Sequence, residues 1–144
     1  MREEISWFSA GFLVCVLIVC ILRIIPEPSV PAPSDWINES QINIISEFVC
    51  IYGKNGSISN YAPSGSMKPT FDTGANGIRI VPSSPEQIEV GDIVTWGDNI
   101  VHRVIQEGID GEDYWYITKG DNSPSPDNKI RFSDIKYVTI GILY

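Results

Sequence analysis

The sequence predicts a mostly β protein: one N-terminal transmembrane helix, a short amphipathic helix, and a small, mainly antiparallel β domain. Three observations carry that prediction. An uncharged apolar stretch runs from Trp7 to Leu22, and short runs of Val, Ile, Tyr and Trp cut by Gly, Pro, Asn and Asp fill the second half of the chain. The Asp110-Gly111 pair between two of those runs is a tight-turn signal. With 144 residues there is room for one modest globular domain and no second.

Taken in order, Ile5 to Ile25 gives 21 positions interrupted only by Arg23, enough at 1.5 Å per residue to span a hydrocarbon core of about 30 Å. A buried core helix would carry a polar face, and here only Ser6, Ser9 and two cysteines interrupt the apolar surface. A cleavable leader fits less well. The head Met1-Arg2-Glu3-Glu4 is not net basic, and a Pro-rich segment stands where a small-x-small cleavage site belongs. Residues 1–25 are therefore expected to be a membrane anchor. Its orientation is not set by charge, since Arg2 and the terminal amine flank one end and Arg23 the other.

Pro26, Pro28, Pro31 and Pro33 then predict a semi-rigid stalk over residues 26–39 that lifts the next domain off the bilayer. Within the outer domain, residues 40–144, the positions Ile42, Ile45, Phe48, Val49 and Tyr52 recur at helical spacing before Gly53 and predict an amphipathic helix from Ser40 to Gly53. Strands are expected at Gly77 to Val81, Asp92 to Trp96, Ile100 to Gln106, Tyr114 to Lys119 and Tyr137 to Ile142. Asn38-Glu39-Ser40 and Asn55-Gly56-Ser57 are glycosylation sequons, usable only outside the cytoplasm.

Charge narrows the function classes. Ten Lys and Arg face 18 Asp and Glu, a net charge of -8 without a basic run, so nucleic acid is not an expected partner. Cys15 and Cys20 fall in the anchor and leave Cys50 alone in the outer domain, which excludes an internal disulfide there. One histidine and one accessible cysteine make no metal-ligand set, and no cofactor is expected.

The groups able to do chemistry are few. Ser64-Gly65-Ser66 is a Gly-containing turn that can expose a hydroxyl and aim backbone N–H groups at one point, as a serine nucleophile requires, although the tripeptide also occurs in inert loops. His102, the only histidine, lies in the strand pattern Val101-His102-Arg103-Val104, where a structural role is common; it is also the sole imidazole base available. An acid to orient it would come from the loop Thr118 to Asp127, otherwise a solvated turn.

Together, SGSMKPT at 64–70, GDIV at 91–94, VHRV at 101–104, and TKGDN at 118–122 with an Asp six residues beyond Asp121 resemble, in order, the boxes of type I signal peptidases of the archaeal and endoplasmic-reticulum kind. The resemblance covers roughly residues 62–127. It implies a signal-peptidase-type β catalytic domain and a membrane-bound serine endopeptidase that cleaves signal peptides from exported precursors. Ser66 would be the nucleophile and His102, standing where the bacterial branch has lysine, the general base. Asp127 would orient His102, Asp121 would support the site, and Ser64 with the N–H of Ser66 would form the oxyanion hole. The implied partners are signal-peptide-bearing precursors, the lipid bilayer and the secretion machinery, with a single-pass anchor and the catalytic domain on the extracytoplasmic or lumenal side. The chain departs from the pattern after Phe71, where Asp72-Thr73-Gly74-Ala75-Asn76 replaces the usual Gly-Asp, and it ends in a strand-like Tyr137 to Leu143 where many relatives carry a second membrane segment. Lys68 and Lys119 leave a Ser/Lys mechanism open. The non-enzymatic alternative is an inactive anchored β domain that binds extended peptides or partner proteins.

Overall fold

β-branched and aromatic runs separated by turn formers set most of the architecture. The computed structural model describes residues 30–53 and 55–144, which leaves the apolar segment 5–25 outside the described residues. Two strands, β1 (Ile42–Ile45) and β2 (Phe48–Ile51), pair as a separate hairpin. Seven more form one antiparallel sheet: β3 (Ser57–Asn60), β4 (Asn76–Ile80), β5 (Ile93–Trp96), β6 (Ile100–Asp110), β7 (Asp113–Lys119), β8 (Ile130–Arg131) and β9 (Ile135–Leu143). Their order across the sheet is β3-β4-β9-β5-β6-β7-β8, and the sheet curls into a half-barrel. Gly111, with φ of 68°, turns β6 into β7 so that Asp110 faces Asp113. Among the described residues, no helix is long and apolar enough to cross a membrane.

Alternation along the central strands splits the interior in two. Val94, Val104, Tyr116 and Val138 are fully buried on one face, with Val94 directly opposite Val138. Ile93 points the other way, into a cluster with Tyr61, Met67, Phe71 and Ala75, where the Tyr61 and Phe71 rings stack at 4.2 Å between centroids. The loop from Tyr61 to Ala75 is thus tied into the core by four side chains.

The helix expected from Ser40 to Gly53 is not there. Asn38 and Gln41 close a capping box around a single 3-10 turn, Glu39–Gln41, and the chain then enters the hairpin, reversing at Ser46 with φ of 58°. Four isoleucines and a valine in this stretch favour extended backbone. Apolar positions spaced three and four apart are matched equally well by cross-strand pairs, Ile42 with Ile51, Ile44 with Val49 and Ile45 with Phe48. Gln41 locks the open end of the hairpin by exchanging backbone and side-chain bonds with Tyr52, both at 2.8 Å. Much of its apolar surface is uncovered: Ile44 is 77% and Val49 67% exposed.

The Pro-rich segment also differs from a free spacer. From Pro31 onward it is bound to the sheet domain, with the Pro31 carbonyl on Arg103 and both Ser34 and Trp36 on Asp92. Removing volume from the middle of the sheet tests the core assignment. Val94→Ala, at a position with no exposed surface, should lower unfolding stability by about 2–3 kcal/mol, read as a lower urea midpoint at unchanged m-value.

Candidate active site

The turn carrying the two serines is fixed from beneath. Met67 and Phe71 are 3% and 4% exposed and plug the core, leaving Ser66 on the lip above them. Gly65, at φ of 69°, donates its N–H to Asp72 Oδ1 at 3.2 Å, and Lys68 N–H bonds back to the Gly65 carbonyl at 3.3 Å. Asn122 holds the same turn from the far loop, donating its N–H to Ser66 O at 2.8 Å and its side-chain Nδ2 to Gly65 O at 3.1 Å.

His102 sits on β6 opposite Val94, facing the same side of the sheet as Val104. Its Nδ1 lies 2.6 Å from Asp127 Oδ2, and that oxygen also accepts the Thr118 hydroxyl at 2.7 Å. Asp127 is held in turn by its own N–H, which donates to the Thr118 carbonyl at 2.8 Å. With Nδ1 donating to the carboxylate, Nε2 is the free acceptor. It faces Gly120, whose missing side chain matters: a Cβ there would come within 3.0 Å of Nε2 and 2.7 Å of Ser66 O. Only glycine lets the Thr118 to Asp127 loop lie against both groups.

Ser66 and His102 line one cleft of about 360 Å³ together with Ser64, Met67 and Phe71. The Ser66 hydroxyl is bonded to Ser64 Oγ at 3.1 Å and makes no bond to the imidazole, and the Ser66 N–H points at the same Ser64 oxygen at 3.4 Å. The two groups expected to form an oxyanion hole are therefore adjacent and hydrogen-bonded to each other.

Asp121 lies apart from the imidazole. Its oxygens accept a two-point bond from Arg103, Nε to Oδ1 and Nη2 to Oδ2, each at 2.9 Å, and a short bond from the Thr70 hydroxyl. Both side chains of this pair are almost wholly buried. Burial pushes the Asp121 carboxyl up, but the bonds from Arg103 and Thr70 and the guanidinium charge outweigh it and hold the group below the ordinary carboxylate range. The carboxylate that contacts the histidine is Asp127. Neither lysine is arranged as a base: Lys68 pairs with Asp72 at 2.8 Å, and that bond and charge raise its pKa, keeping it protonated. Lys119 lines a different cavity, with Val30, Pro31 and Arg103. Among the described residues no group of three or more His, Cys, Asp or Glu is arranged to hold a metal ion.

Thr70, Arg103, Thr118 and Asn122 lie inside the motifs and Asp72 in the departure after Phe71, yet all five hold the site through contacts the motifs do not reveal. Their partners lie as far off in sequence as 57 positions for Asn122 and Gly65 and 72 for Arg103 and Pro31, so no local pattern marks them. Comparison with protein-family models, curated proteins and solved structures finds no match.

Two outcomes check this arrangement. Asp121→Asn leaves a buried guanidinium without its counter-charge and should destabilise the domain by about 3–5 kcal/mol. Because the folded pKa of Asp121 is depressed, its contribution is complete above the unfolded value near 3.8 and disappears as pH falls through the lower folded value. Urea midpoints followed downward from pH 5 should therefore fall more steeply for the parent than for Asp121→Asn.

Proposed function

We propose that this chain is a membrane-bound serine endopeptidase of the signal peptidase kind, cleaving signal peptides from exported precursors with Ser66 as nucleophile and His102 as general base. The observation that supports this most is that Ser66 and His102, from segments far apart in sequence, line one cleft, with Asp127 behind the imidazole at 2.6 Å from its Nδ1.

Asp127 holds the Nδ1–H tautomer and stabilises the imidazolium that forms during reaction. His102 Nε2 takes the proton from Ser66 Oγ as that oxygen adds to the scissile carbonyl. Charge then develops on the carbonyl oxygen, where the Ser64 hydroxyl and the Ser66 N–H, released from each other, can donate to it. The imidazolium next protonates the leaving amine as the C–N bond breaks. Finally His102 accepts a proton from water, which hydrolyses the acyl-serine and restores the free hydroxyl.

Substrate presentation has support in the sheet. Along β6, residues Ile100 to His102 pair only with β5, because β7 ends at Lys119 opposite Arg103. That leaves an unpaired strand edge at the cleft, able to receive an extended peptide by main-chain bonds. The cleft wall of Ala62, Met67, Phe71 and Val101 suits a small apolar side chain before the cut. Exposed Ile44, Ile45, Phe48 and Val49 on the hairpin accord with a bilayer nearby, and in this reading residues 5–25 anchor the chain with the sheet domain outside the cytoplasm. An inert peptide-binding domain would use the same strand edge, but it gives the His102–Asp127 pair no task.

With a membrane-delivered precursor, Ser66→Ala should abolish the discrete shortened product while leaving the thermal transition intact. Ser64→Ala should lower kcat by about 10²–10³-fold, and Asp127→Asn by about 10⁴-fold because the wrong tautomer is then allowed. Full activity of Ser66→Ala would overturn the peptidase reading.

A further inference from the structure

A segment that serves only as a spacer has no need of a buried carboxylate, yet Asp92 is wholly buried and three of the four hydrogen bonds to its carboxylate come from the Pro-rich segment. Oδ1 accepts the Ser34 N–H at 2.8 Å and the Ser34 hydroxyl at 2.7 Å; Oδ2 accepts Trp36 Nε1 at 3.0 Å and the Glu89 N–H at 3.1 Å. A buried carboxylate is tolerable only when its oxygens are satisfied, so Asp92 depends on the segment as much as the segment depends on it. Three residues before Ser34, the Pro31 carbonyl accepts Arg103 Nη1 at 3.0 Å, and the same nitrogen donates to the Gly91 carbonyl at 2.8 Å. Gly91 admits no substitute, since a Cβ there would stand 1.8 Å from the Ala32 carbonyl oxygen.

These contacts shorten a leash. The apolar stretch ends at Ile25 and the first clasped residue is Pro31, six Cα steps on, so covalent geometry allows a reach of about 20 Å at most. Were the segment free up to Gln41, the next fixed point, sixteen steps would allow about 55 Å. The clasp also reaches the site, because the guanidinium that holds Pro31 holds Asp121, and the adjoining Asn122 holds the Ser66 turn.

Resting on the peptidase and anchor readings above, we propose that Pro31–Trp36 is a strap, clasped by Asp92 and Arg103, that keeps the serine site within a short fixed distance of the bilayer and so restricts cleavage to bonds near the membrane surface. Asp92, Ser34 and Trp36 act in this as positioning residues.

The test uses the full chain in phosphatidylcholine vesicles in three forms: the parent, a twelve-residue Gly/Ser insertion between Pro28 and Ser29, and a Ser34→Ala/Trp36→Phe pair that loosens the clasp. Anchored precursors present the scissile bond beyond rigid (EAAAK)n spacers of increasing length. The parent rate should fall at least tenfold once the spacer exceeds the leash, and both altered forms should extend the cleavable range while matching the parent within threefold on a short soluble peptide. Independently of activity, energy transfer from a dye at Glu112→Cys, with the three native cysteines replaced by alanine, to acceptor lipids should fall in both altered forms. Unchanged transfer overturns the strap. Changed transfer with an unchanged cleavage range overturns its role in restricting cleavage. Changed transfer with no cleavage of any substrate by any form faults the peptidase reading and leaves the strap supported.

Discussion

The guanidinium of Arg103 is the group on which the domain's parts depend. It is buried on β6, directly after His102, and binds the Asp121 carboxylate, the Thr70 hydroxyl, the Gly91 carbonyl and the Pro31 carbonyl. Those partners belong to four separate stretches of chain, none of which forms regular structure at the contact. A buried ion pair is a poor source of net stability, because desolvation cancels much of its attraction. What this one supplies is registration. The planar fork has fixed directions, so each loop that meets it is fixed relative to the others. Arg103 also follows His102 directly, and the strand's alternation sends the imidazole to one face and the guanidinium to the other.

That division assigns the two aspartates. Asp127 meets the imidazole and Asp121 the guanidinium, so one carboxylate faces a titratable ring and the other a permanent charge. The two loops that embrace the site close on each other through Asn122 and Gly120, with backbone atoms in contact where side chains would separate them. Close approach of this kind holds the hydroxyl and the imidazole at one cleft.

How much of this could be read in the chain depends on the range of the forces involved. Strands β4, β5, β6, β7 and β9 announce themselves through local alternation and turn residues, and their observed limits differ from the expected ones by a few positions, most at the far end of β6. The edge strands β3 and β8 do not: Ser57–Asn60 is polar and Ile130–Arg131 has two residues, and both exist because a neighbouring strand recruits them. Ser40 to Gly53 misleads because its apolar spacing satisfies both periods, and β-branching with the Gln41 to Tyr52 closure decides for strands. At the site, Ser66, His102 and Asp127 were legible only as a set of motifs in order. The Arg103–Asp121 pair, the Asp72 contact to Gly65 and the Asp92 clasp were not, since each joins residues whose proximity only the finished fold creates.

If the chain is the peptidase proposed above, the open edge of β6 at Ile100–His102 has a kinetic consequence. Main-chain pairing does not distinguish a peptide before the cut from the same peptide after it, because the strand retains the amide groups that bind it. An enzyme that grips its substrate this way therefore holds the severed fragment with almost the same strength, and binding shared equally by both does nothing to hasten the chemical step. On the proposed peptidase reading, turnover is then paced by the departure of the spent strand, and whatever draws that fragment back into the lipid works as a product sink that keeps the edge clear.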